Sequence, residues 1–573
     1  MAGRISDKRR RRQRDSFIRK LLRQPVSRSG GDSGRSRSGA TARDLTDAGQ
    51  QFHAGLFRDT EESCIRILTR DRDIPEALRL LALCCFRTGA QGPAEDLLRR
   101  AIEIAPDDGE AHAELGLVYG QQGKFDAAIS CFRASLERRP DDLPTLHNLG
   151  YACVQTGAFD DAVGVFRKAI ALSPDTGILH MNCGGALQQA GRLEEAEACY
   201  RRAIELEPDS ADCQVNLGSL LGRMNRLDES LRAFERAVAL SPEHRSAIRS
   251  IGDTCLKTGD HAEAARALNR VVQLAPDDLK ARFDLTHALA LSGRTAEAVA
   301  VGEAAIALAP PSAENLITLT IAYLCDRNHR AALETCDMIL AGDPGHCAAL
   351  AFKSTALNEM GCAAEAQYLL DADSLVRCFD LAPPDGYRDI GAFNRALCEH
   401  IRNHPTLYHS KTNRSLNNGQ ATLELLDGEK GPFADFEEMI LGTIAQYQAV
   451  VDADPSHPFL QSPPQDHHLE VWANIMDSDG FHDTHFHPTG WLSGTYYPSL
   501  PPLDAGQARE NAGCIEFGRS LYSIPTTRDP RTRVIQPREG LVVLFPSYFG
   551  HRTLPFDSPE KRYSIAFDVV PNT

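Results

Sequence analysis

The sequence predicts a multidomain protein in which an all-α superhelical solenoid precedes a β-rich jelly-roll domain with bracing helices. Three observations lead to this expectation. The chain has 573 residues, more than one ordinary core holds, because domains average roughly 100–200 residues. Proline recurs every 34 residues through the first two thirds of the chain. After residue 373 this period ends, and apolar residues alternate along short segments.

The N-terminal segment differs in charge from the rest of the chain. Residues 1–43 hold 14 basic and 3 acidic residues, a net +11, whereas the remainder holds 48 basic and 75 acidic residues, a net −27, for a total of −16. A basic, Ser/Gly/Arg-rich arm predicts a disordered tail. It suits RNA, an anionic membrane or an acidic protein as a partner, or no dedicated partner. The acidic body excludes a protein that wraps nucleic acid, so no specific nucleic acid is expected.

Composition also bounds the compartment. No run approaches the 18 or so consecutive apolar residues of a transmembrane helix, and the basic start lacks the apolar stretch of a secretory signal. Of 16 cysteines, 13 precede residue 373, and none form a CxxC pair. We therefore expect reduced core thiols in a cytoplasmic protein.

Residues 44–372 carry the 34-residue period. Prolines lie in register at 106, 140, 174, 208, 242, 276, 310 and 344. A second series marks the turn inside each unit, at Gly55, Gly89, Gly123, Gly157, Gly191, Gly259, Gly293 and Gly361, with Asn225 and Arg327 in the two gaps. A fixed period of this length is typical of a solenoid of helix pairs.

One unit, residues 143–176, explains the pattern. Its first helix has an apolar face at Leu146, Leu149, Gly150 and Cys153. Gly157 ends that helix because glycine tolerates positive φ. The second helix presents Ala162, Phe166 and Ala169, and Pro174 ends it.

This unit resembles the tetratricopeptide repeat (TPR), whose small, aromatic and proline positions it matches. The resemblance implies a right-handed superhelix with a groove that holds a protein or peptide. Two units depart from the pattern, because Thr286 and Thr320 replace the small glycine.

The last third predicts a different fold. Residues 388–403 and 434–451 have helical periodicity. Short strand candidates then follow between Pro- and Gly-rich loops: HHLEVWANIMD, THFHPTGWLSGTYYP, GCIEFG, TRVIQP, GLVVLFP and RYSIAFDVV. Such spacing favours a sandwich or jelly roll that the helices brace.

Three histidines predict a metal site here. His485 and His487 lie two residues apart, so a strand places both on one face, and His551 follows a later strand. Three ligands leave positions open on an octahedral ion, as in non-haem Fe(II) sites, although imidazole suits Fe, Zn, Cu and Ni. Arg562 and Ser564 follow on the next strand, where they suit the far carboxylate of a metal-chelating dicarboxylate such as 2-oxoglutarate.

These residues resemble a 2-oxoglutarate- and Fe(II)-dependent oxygenase of the prolyl-hydroxylase-like group over about residues 378–571. The motifs are HFHP at 485–488, SGTYY at 493–497, LFPSYFGH at 544–551 and RYS at 562–564. The resemblance implies a double-stranded β-helix domain over 378–573 that uses Fe(II), 2-oxoglutarate and O2. It implies that His485 and His551 bind the metal, that Arg562 and Ser564 bind the cosubstrate, and that Tyr497 donates a hydrogen bond to it. Tyr497 as a core aromatic is the alternative.

The sequence departs from the family at one ligand. The wider superfamily has H-x-D where this chain has H-x-H, which puts His487 at the position of the acidic ligand. Asp483 or a water are the alternatives for the third position. Trp472 and Asn474 suit the pocket as well as the core, and His467, His468 and His482 are expected on the surface.

Two functions of different class remain. The first is a dioxygenase that hydroxylates a substrate, preferably a protein or peptide, recruited by the repeats. The second is a non-enzymatic interaction scaffold with a decayed oxygenase domain. Convergence of the three histidines beside Arg562 would favour the enzyme.

Overall fold

A computed structural model describes residues 14–24, 39–308, 310, 312–410, 416–451, 456–461, 463–503, 506, 511–521 and 524–572. The chain divides into two compact units, residues 1–244 and residues 245–573. None of the described helices combines the length and apolar character that a bilayer span requires.

The first unit is helical throughout its described part. After α1 over residues 14–22, the helices are α2 Gly39–His53, α3 Phe57–Arg70, α4 Pro75–Arg87, α5 Gln91–Ile104, α6 Gly109–Gln121, α7 Phe125–Arg138, α8 Leu143–Gln155, α9 Phe159–Leu172, α10 Gly177–Gln189, α11 Leu193–Leu206, α12 Ala211–Arg223 and α13 Leu227–Leu240.

Helical repeats continue in the second unit. Its repeat helices are α14 Arg245–Thr258, α15 His261–Leu274, α16 Leu279–Leu291, α17 Thr295–Ile306, α18 Ala313–Cys325, α19 His329–Gly342, α20 Cys347–Met360 and α21 Ala363–Leu369, followed by the short α22 Ala372–Leu375.

The turn inside each repeat adopts the backbone that the sequence predicts. All eight glycines of the turn series have φ between +72° and +83°. Asn225 and Arg327 fill the same place at φ +58° and +60°. Asparagine tolerates this left-handed region better than most residues do. The arginine is the costlier exception.

Contacts between the two helices of a repeat depend on one small residue. A Cβ atom added to Gly150 would lie 2.6 Å from the ring of Phe166, so only glycine fits there. In the repeat that contains Thr286, the small and the large residue have changed places between the two helices. Thr286 stands where Gly150 would, and Gly302 stands opposite it where Phe166 would. The pair therefore still packs closely, as a Cβ on Gly302 would lie 3.0 Å from Thr286 Cγ2.

The predicted disordered tail needs a correction over its described residues. Residues 14–22 form α1, and α2 begins within the predicted tail at Gly39. Ile18 and Leu21, three residues apart on one helical face, are buried in the apolar cluster of the first unit. Arg100 closes the end of α1 by donating to the carbonyls of Leu21 and Gln24. The rest of residues 1–38 lies outside the described part.

The C-terminal region of the second unit is a curled antiparallel sheet with two helices, consistent with the expected jelly roll. The helices are α23 Ile390–Asn403 and α24 Phe433–Val450, close to the predicted bounds. The strands are β1 Arg377–Asp380, β2 Tyr408–Ser410, β3 Leu416–Ala421, β4 His467–His485, β5 Leu492–Ser499, β6 Ile515–Phe517, β7 Arg533–Ile535, β8 Leu541–Pro546, β9 His551–Thr553 and β10 Arg562–Pro571.

Strand order explains how distant residues meet. The order is β1-β8-β5-β10-β4-β9-β6-β7, with β3 also pairing with β4 and with β2. β10 therefore lies between β5 and β4. β4 is longer than the sequence predicts. It continues through Asp479, whose φ is +61°, and ends at His485.

The last repeat shares a core with this sheet. Leu350 and Leu357 of α20 and Leu369 of α21 are buried in the same apolar cluster as the sheet and helices α23 and α24. The Tyr548 hydroxyl donates to the Leu369 carbonyl at 2.5 Å. The Glu359 carboxylate of α20 accepts from the backbone N–H groups of two loop residues, Thr527 and Arg528. The boundary between residues 372 and 378 thus remains a prediction, and this cluster argues against independent folding of the jelly roll.

Candidate metal centre and cosubstrate pocket

The three predicted histidines converge at one end of the sheet. β4 and β9 pair so that His485 lies directly opposite His551. His487 follows just beyond β4, where its backbone N–H donates to the Ser547 carbonyl at 2.9 Å. The side-chain nitrogens that would bind a metal all lie within 4.8 Å of one another. Three imidazoles this close together would suit a single metal ion.

Each ring has its Nδ1 atom engaged, which leaves Nε2 for a metal. His485 Nδ1 is 2.8 Å from the Asp483 carbonyl and His551 Nδ1 is 3.0 Å from the Phe549 carbonyl. His487 Nδ1 is 2.5 Å from Asp568 Oδ1. Because these partners are acceptors, Nδ1 carries the proton and Nε2 keeps its lone pair.

Burial keeps the rings in the form that binds metal. Desolvation, followed by the neighbouring His487, lowers the pKa of His485 to about 4. Desolvation likewise holds the pKa of His551 well below its usual value. Only the neutral imidazole offers a lone pair to a cation, so these ligands are already deprotonated at neutral pH.

Asp483 does not join the three histidines in the described structure. Its carboxylate accepts a hydrogen bond from Asn417 Nδ2 at 2.9 Å, whereas its backbone carbonyl orients His485. The cluster found among the described residues consists of His485, His487 and His551. Which residue completes the ligand set in the loaded protein stays a prediction.

Arg562 is a buried cation with no anion beside it in the described structure. Its side chain is 2% exposed, and its Nε–H has no hydrogen-bond partner. The guanidinium lies 5.1 Å from the centre of the Tyr497 ring, and Nη1 is 3.5 Å from Met476 Sδ. Desolvation lowers the pKa of Arg562. A guanidinium held this way is suited to a carboxylate ligand.

One cavity of about 600 Å³ joins the histidines to Arg562. Ser564 and Tyr497 also line it, and their role in binding a cosubstrate stays a prediction. Trp472 and Asn474 face the same space, because they pair with Ala566 and Ser564 across the two strands. The pocket alternative for these two residues is therefore the one that the geometry favours.

Two residues of the cavity were missed or misplaced by the sequence analysis. His482 was expected on the surface, but it lines the cavity with its ring centre 5.6 Å from that of His485. Asp568 was not singled out. Its signal was strand alternation, because it lies six residues after Arg562 and so on the same face of β10.

A second cavity, of about 560 Å³, lies between the last repeat and the sheet. α20 and α21 form one wall, and residues 518–521 and 529–531 form much of the other. Phe486, between two of the histidines, lines both cavities. Its ring meets Phe352 of α20 edge to face at 5.8 Å.

Fold and site together define a helical-repeat protein that carries a non-haem oxygenase type of domain. Family comparison agrees: residues 470–568 match the family described as "Putative 2OG-Fe(II) oxygenase". Residues 40–109 match "Tetratricopeptide repeat", and residues 87–320 match "Cilia and flagella-associated protein 70 C-terminal domain". The chain thus carries TPR repeats followed by a domain of the 2OG-Fe(II) oxygenase kind at its C-terminus.

Several solved structures are similar to part of this chain. The C-terminal part of a TPR repeat-containing protein from Cytophaga hutchinsonii is 14% identical, covers 42% of this chain and 99% of its own, and has a TM-score of 0.36. Pseudomonas aeruginosa pilF is 19% identical, with coverages of 37% and 96% and a TM-score of 0.31. MamA from Desulfovibrio magneticus RS-1 is 19% identical, with coverages of 30% and 96% and a TM-score of 0.29. At these values nothing about function follows. The comparison with curated proteins found no match.

Proposed function

We propose that this protein is a 2-oxoglutarate- and Fe(II)-dependent dioxygenase that hydroxylates a protein or peptide substrate recruited by its TPR repeats. The observation that carries the proposal is Arg562, a buried cation with no anion beside it among the described residues, facing the same cavity as the three histidines. A buried charge is costly unless it is paired. The pocket is therefore complementary to an anion at one end and to a metal ion at the other.

2-Oxoglutarate meets both demands. It is a dicarboxylate whose 2-oxo acid end chelates a metal, which leaves the other carboxylate for the Arg562 guanidinium. Fe(II) suits an all-imidazole set with open positions, although ligand type alone also admits other first-row metals. When bound, Fe(II) supplies the oxidising chemistry that converts 2-oxoglutarate, O2 and a substrate C–H into succinate, CO2 and an alcohol.

The chain's own residues bind and orient. His485, His487 and His551 would hold the metal through Nε2. Arg562 would fix the far carboxylate, and Ser564, buried two residues along the same face of β10, would add a hydroxyl donor. Tyr497, whose ring centre lies 5.1 Å from the guanidinium, would donate to the cosubstrate.

The repeats would deliver the substrate. TPR arrays bind protein segments, and a bound segment held beside an active site has a high effective concentration there. Thiols buried in the repeats and the lack of paired cysteines favour a cytoplasmic protein. The basic N-terminal segment remains a proposed contact for an anionic partner.

The scaffold alternative requires that the oxygenase site has lost an essential part. The convergence of the three histidines beside Arg562 supports the enzyme instead.

Anaerobic titration of the purified full chain with Fe(II), followed by 2-oxoglutarate, tests the proposal. We expect one Fe(II) per chain, a cosubstrate that binds only with metal present, and slow succinate formation once O2 is admitted. A chain that binds Fe(II) but neither binds 2-oxoglutarate nor forms succinate would overturn the proposal.

A further inference from the structure

We propose that Asp568 is a positioning residue that supplies, through His487, the negative charge that the superfamily's aspartate ligand normally brings to the metal. This inference rests on the proposed function, because it concerns the same metal centre. It assigns a role to a residue that neither the sequence motif nor the family match singles out.

The contact between Asp568 and His487 is short and buried. Asp568 is 5% exposed, and its Oδ1 atom lies 2.5 Å from His487 Nδ1. The same oxygen accepts from the Ser493 hydroxyl at 2.6 Å. The Ser493 hydroxyl also lies 3.1 Å from His487 Nδ1 and 2.8 Å from the Ser547 hydroxyl, so it bridges the carboxylate and the imidazole.

The charge around Asp568 points to a cation. No lysine or arginine pairs with this carboxylate in the part of the chain that the structure describes; its ion-pair partner there is the His487 ring. A buried carboxylate is costly unless a cation compensates it. A metal ion on Nε2 of His487 would supply positive charge on the far side of the same ring.

This arrangement changes what His487 offers the metal. A carboxylate that accepts the Nδ1 proton fixes the tautomer and raises the basicity of the ligating nitrogen. The imidazole then gains part of the anionic character of an aspartate ligand. The H-x-H motif thus keeps a carboxylate at the centre by placing it one shell further out, on β10.

β10 holds both ends of the pocket. Arg562, Ser564, Ala566 and Asp568 alternate along the strand and all line the cavity. Asp568 pairs with Glu470 of β4 and with Ser493 of β5. β10 is paired on both sides, which fixes the backbone of Asp568, and the contacts with His487 and Ser493 hold its carboxylate.

Anaerobic Fe(II) binding by full-length variants tests the role. Asp568→Ala should weaken Fe(II) binding by about 10- to 100-fold, the usual cost of losing such support. Asp568→Asn keeps the shape and a hydrogen-bond acceptor but removes the charge, so we expect a smaller loss in the same direction. Asp380→Asn is the control: this exposed carboxylate of β1 pairs with Arg538 and does not line the cavity, so Fe(II) affinity should not change.

A double-mutant cycle isolates the path through His487. In a His487→Asp background the ligand itself carries the charge, and Asp568→Asn should no longer weaken binding. If Asp568→Asn costs the same in both backgrounds, Asp568 does not act through His487 and the inference fails. Full Fe(II) affinity in both Asp568 variants of the native chain also overturns it.

Measurements on the metal-free protein distinguish a loss of the Asp568 contact from a loss of folding. Nitrogen-15 NMR of the metal-free protein should show His487 protonated at Nδ1, and Asp568→Asn should retain the far-UV spectrum and melting behaviour of a folded chain. Should His487 instead be protonated at Nε2, the inference fails. Absence of Fe(II) binding in the unmodified chain would count against the proposed function, whereas normal binding with a silent Asp568 would count against this inference alone.

Discussion

The repeats and the sheet place their key residues in opposite ways. In a repeat, Gly150 meets Phe166 sixteen residues away, and the same contact recurs at a fixed interval along the chain. In the sheet, His485 meets His551 across two strands, and His487 meets Asp568 after 81 residues. A substitution in one repeat is therefore expected to affect mainly that repeat. The site, in contrast, depends on the correct register of several strands at once.

The largest effect we expect comes from cutting the chain between the repeats and the sheet. A fragment of residues 378–573 removes Leu350, Leu357 and Leu369 from the apolar cluster they share with the sheet. Each buried leucine contributes roughly 1.5–3 kcal/mol, which together rivals the roughly 5–15 kcal/mol stability of a whole domain. We expect the fragment to be unfolded or aggregated by circular dichroism and gel filtration.

A fragment of residues 313–573 is its control, because it retains α18 to α21 and should fold. If the shorter fragment folds and binds Fe(II) as well as the longer one, the jelly roll is independent and the shared cluster is dispensable.

The second-largest effect we expect is a loss of stability of the metal-free protein in acid. His485 has a folded pKa near 4 against about 6.5 when unfolded. Between these values the unfolded chain binds the extra proton, so stability is complete above about pH 6.5 and falls as pH drops towards 4. At about 1.4 kcal/mol per pKa unit, the loss is about 3 kcal/mol.

Urea unfolding of the metal-free protein at pH 7 and at pH 4.5 measures this loss. A His485→Gln variant should lose less stability over the same interval. An equal acid loss in both proteins would show that His485 is not the titrating group.

The proposed binding of 2-oxoglutarate is expected to depend on one residue of β10. Charge-assisted hydrogen bonds contribute about 1.5–3 kcal/mol each, so Arg562→Ala should weaken 2-oxoglutarate binding by roughly 10- to 150-fold while Fe(II) affinity is retained. Isothermal titration under anaerobic conditions separates the two. Arg538→Ala, which removes an exposed arginine paired with Asp380, should leave both unchanged. Unaltered 2-oxoglutarate affinity in the Arg562 variant would remove the reason for choosing this cosubstrate.

The smallest expected effect is confined to one repeat. Gly150→Val must push against the Phe166 ring and should cost about 1–3 kcal/mol, as overpacking does. Gly164→Ala in the neighbouring helix meets nothing within 4 Å and should stabilise that helix by up to about 1 kcal/mol. Thermal melts would report both, and Fe(II) affinity should change in neither. A change in Fe(II) affinity on Gly150→Val would mean that the repeats and the site are not tuned separately.

Much of this molecule could be predicted from sequence because its signals are short-range. The 34-residue period, the turn glycines and the H-x-H and R-x-S motifs each lie within a few residues. The sequence does not place His482 in the cavity, because the segment around Asp479 resembles a loop, whereas β4 continues through it to His485 with a positive φ at Asp479. Strand alternation puts Asp568 on the face of Arg562, but its contact with His487, 81 residues away, is not encoded by any local pattern.

The side chain of Phe486 lines both cavities of the second unit. Phe486 lies between His485 and His487 in the chain, and its ring contacts Phe352 of the last repeat. A molecule bound in the second cavity would therefore contact a residue that also lines the cavity of the three histidines. Through this one side chain, the last repeat is in contact with the loop that carries His487.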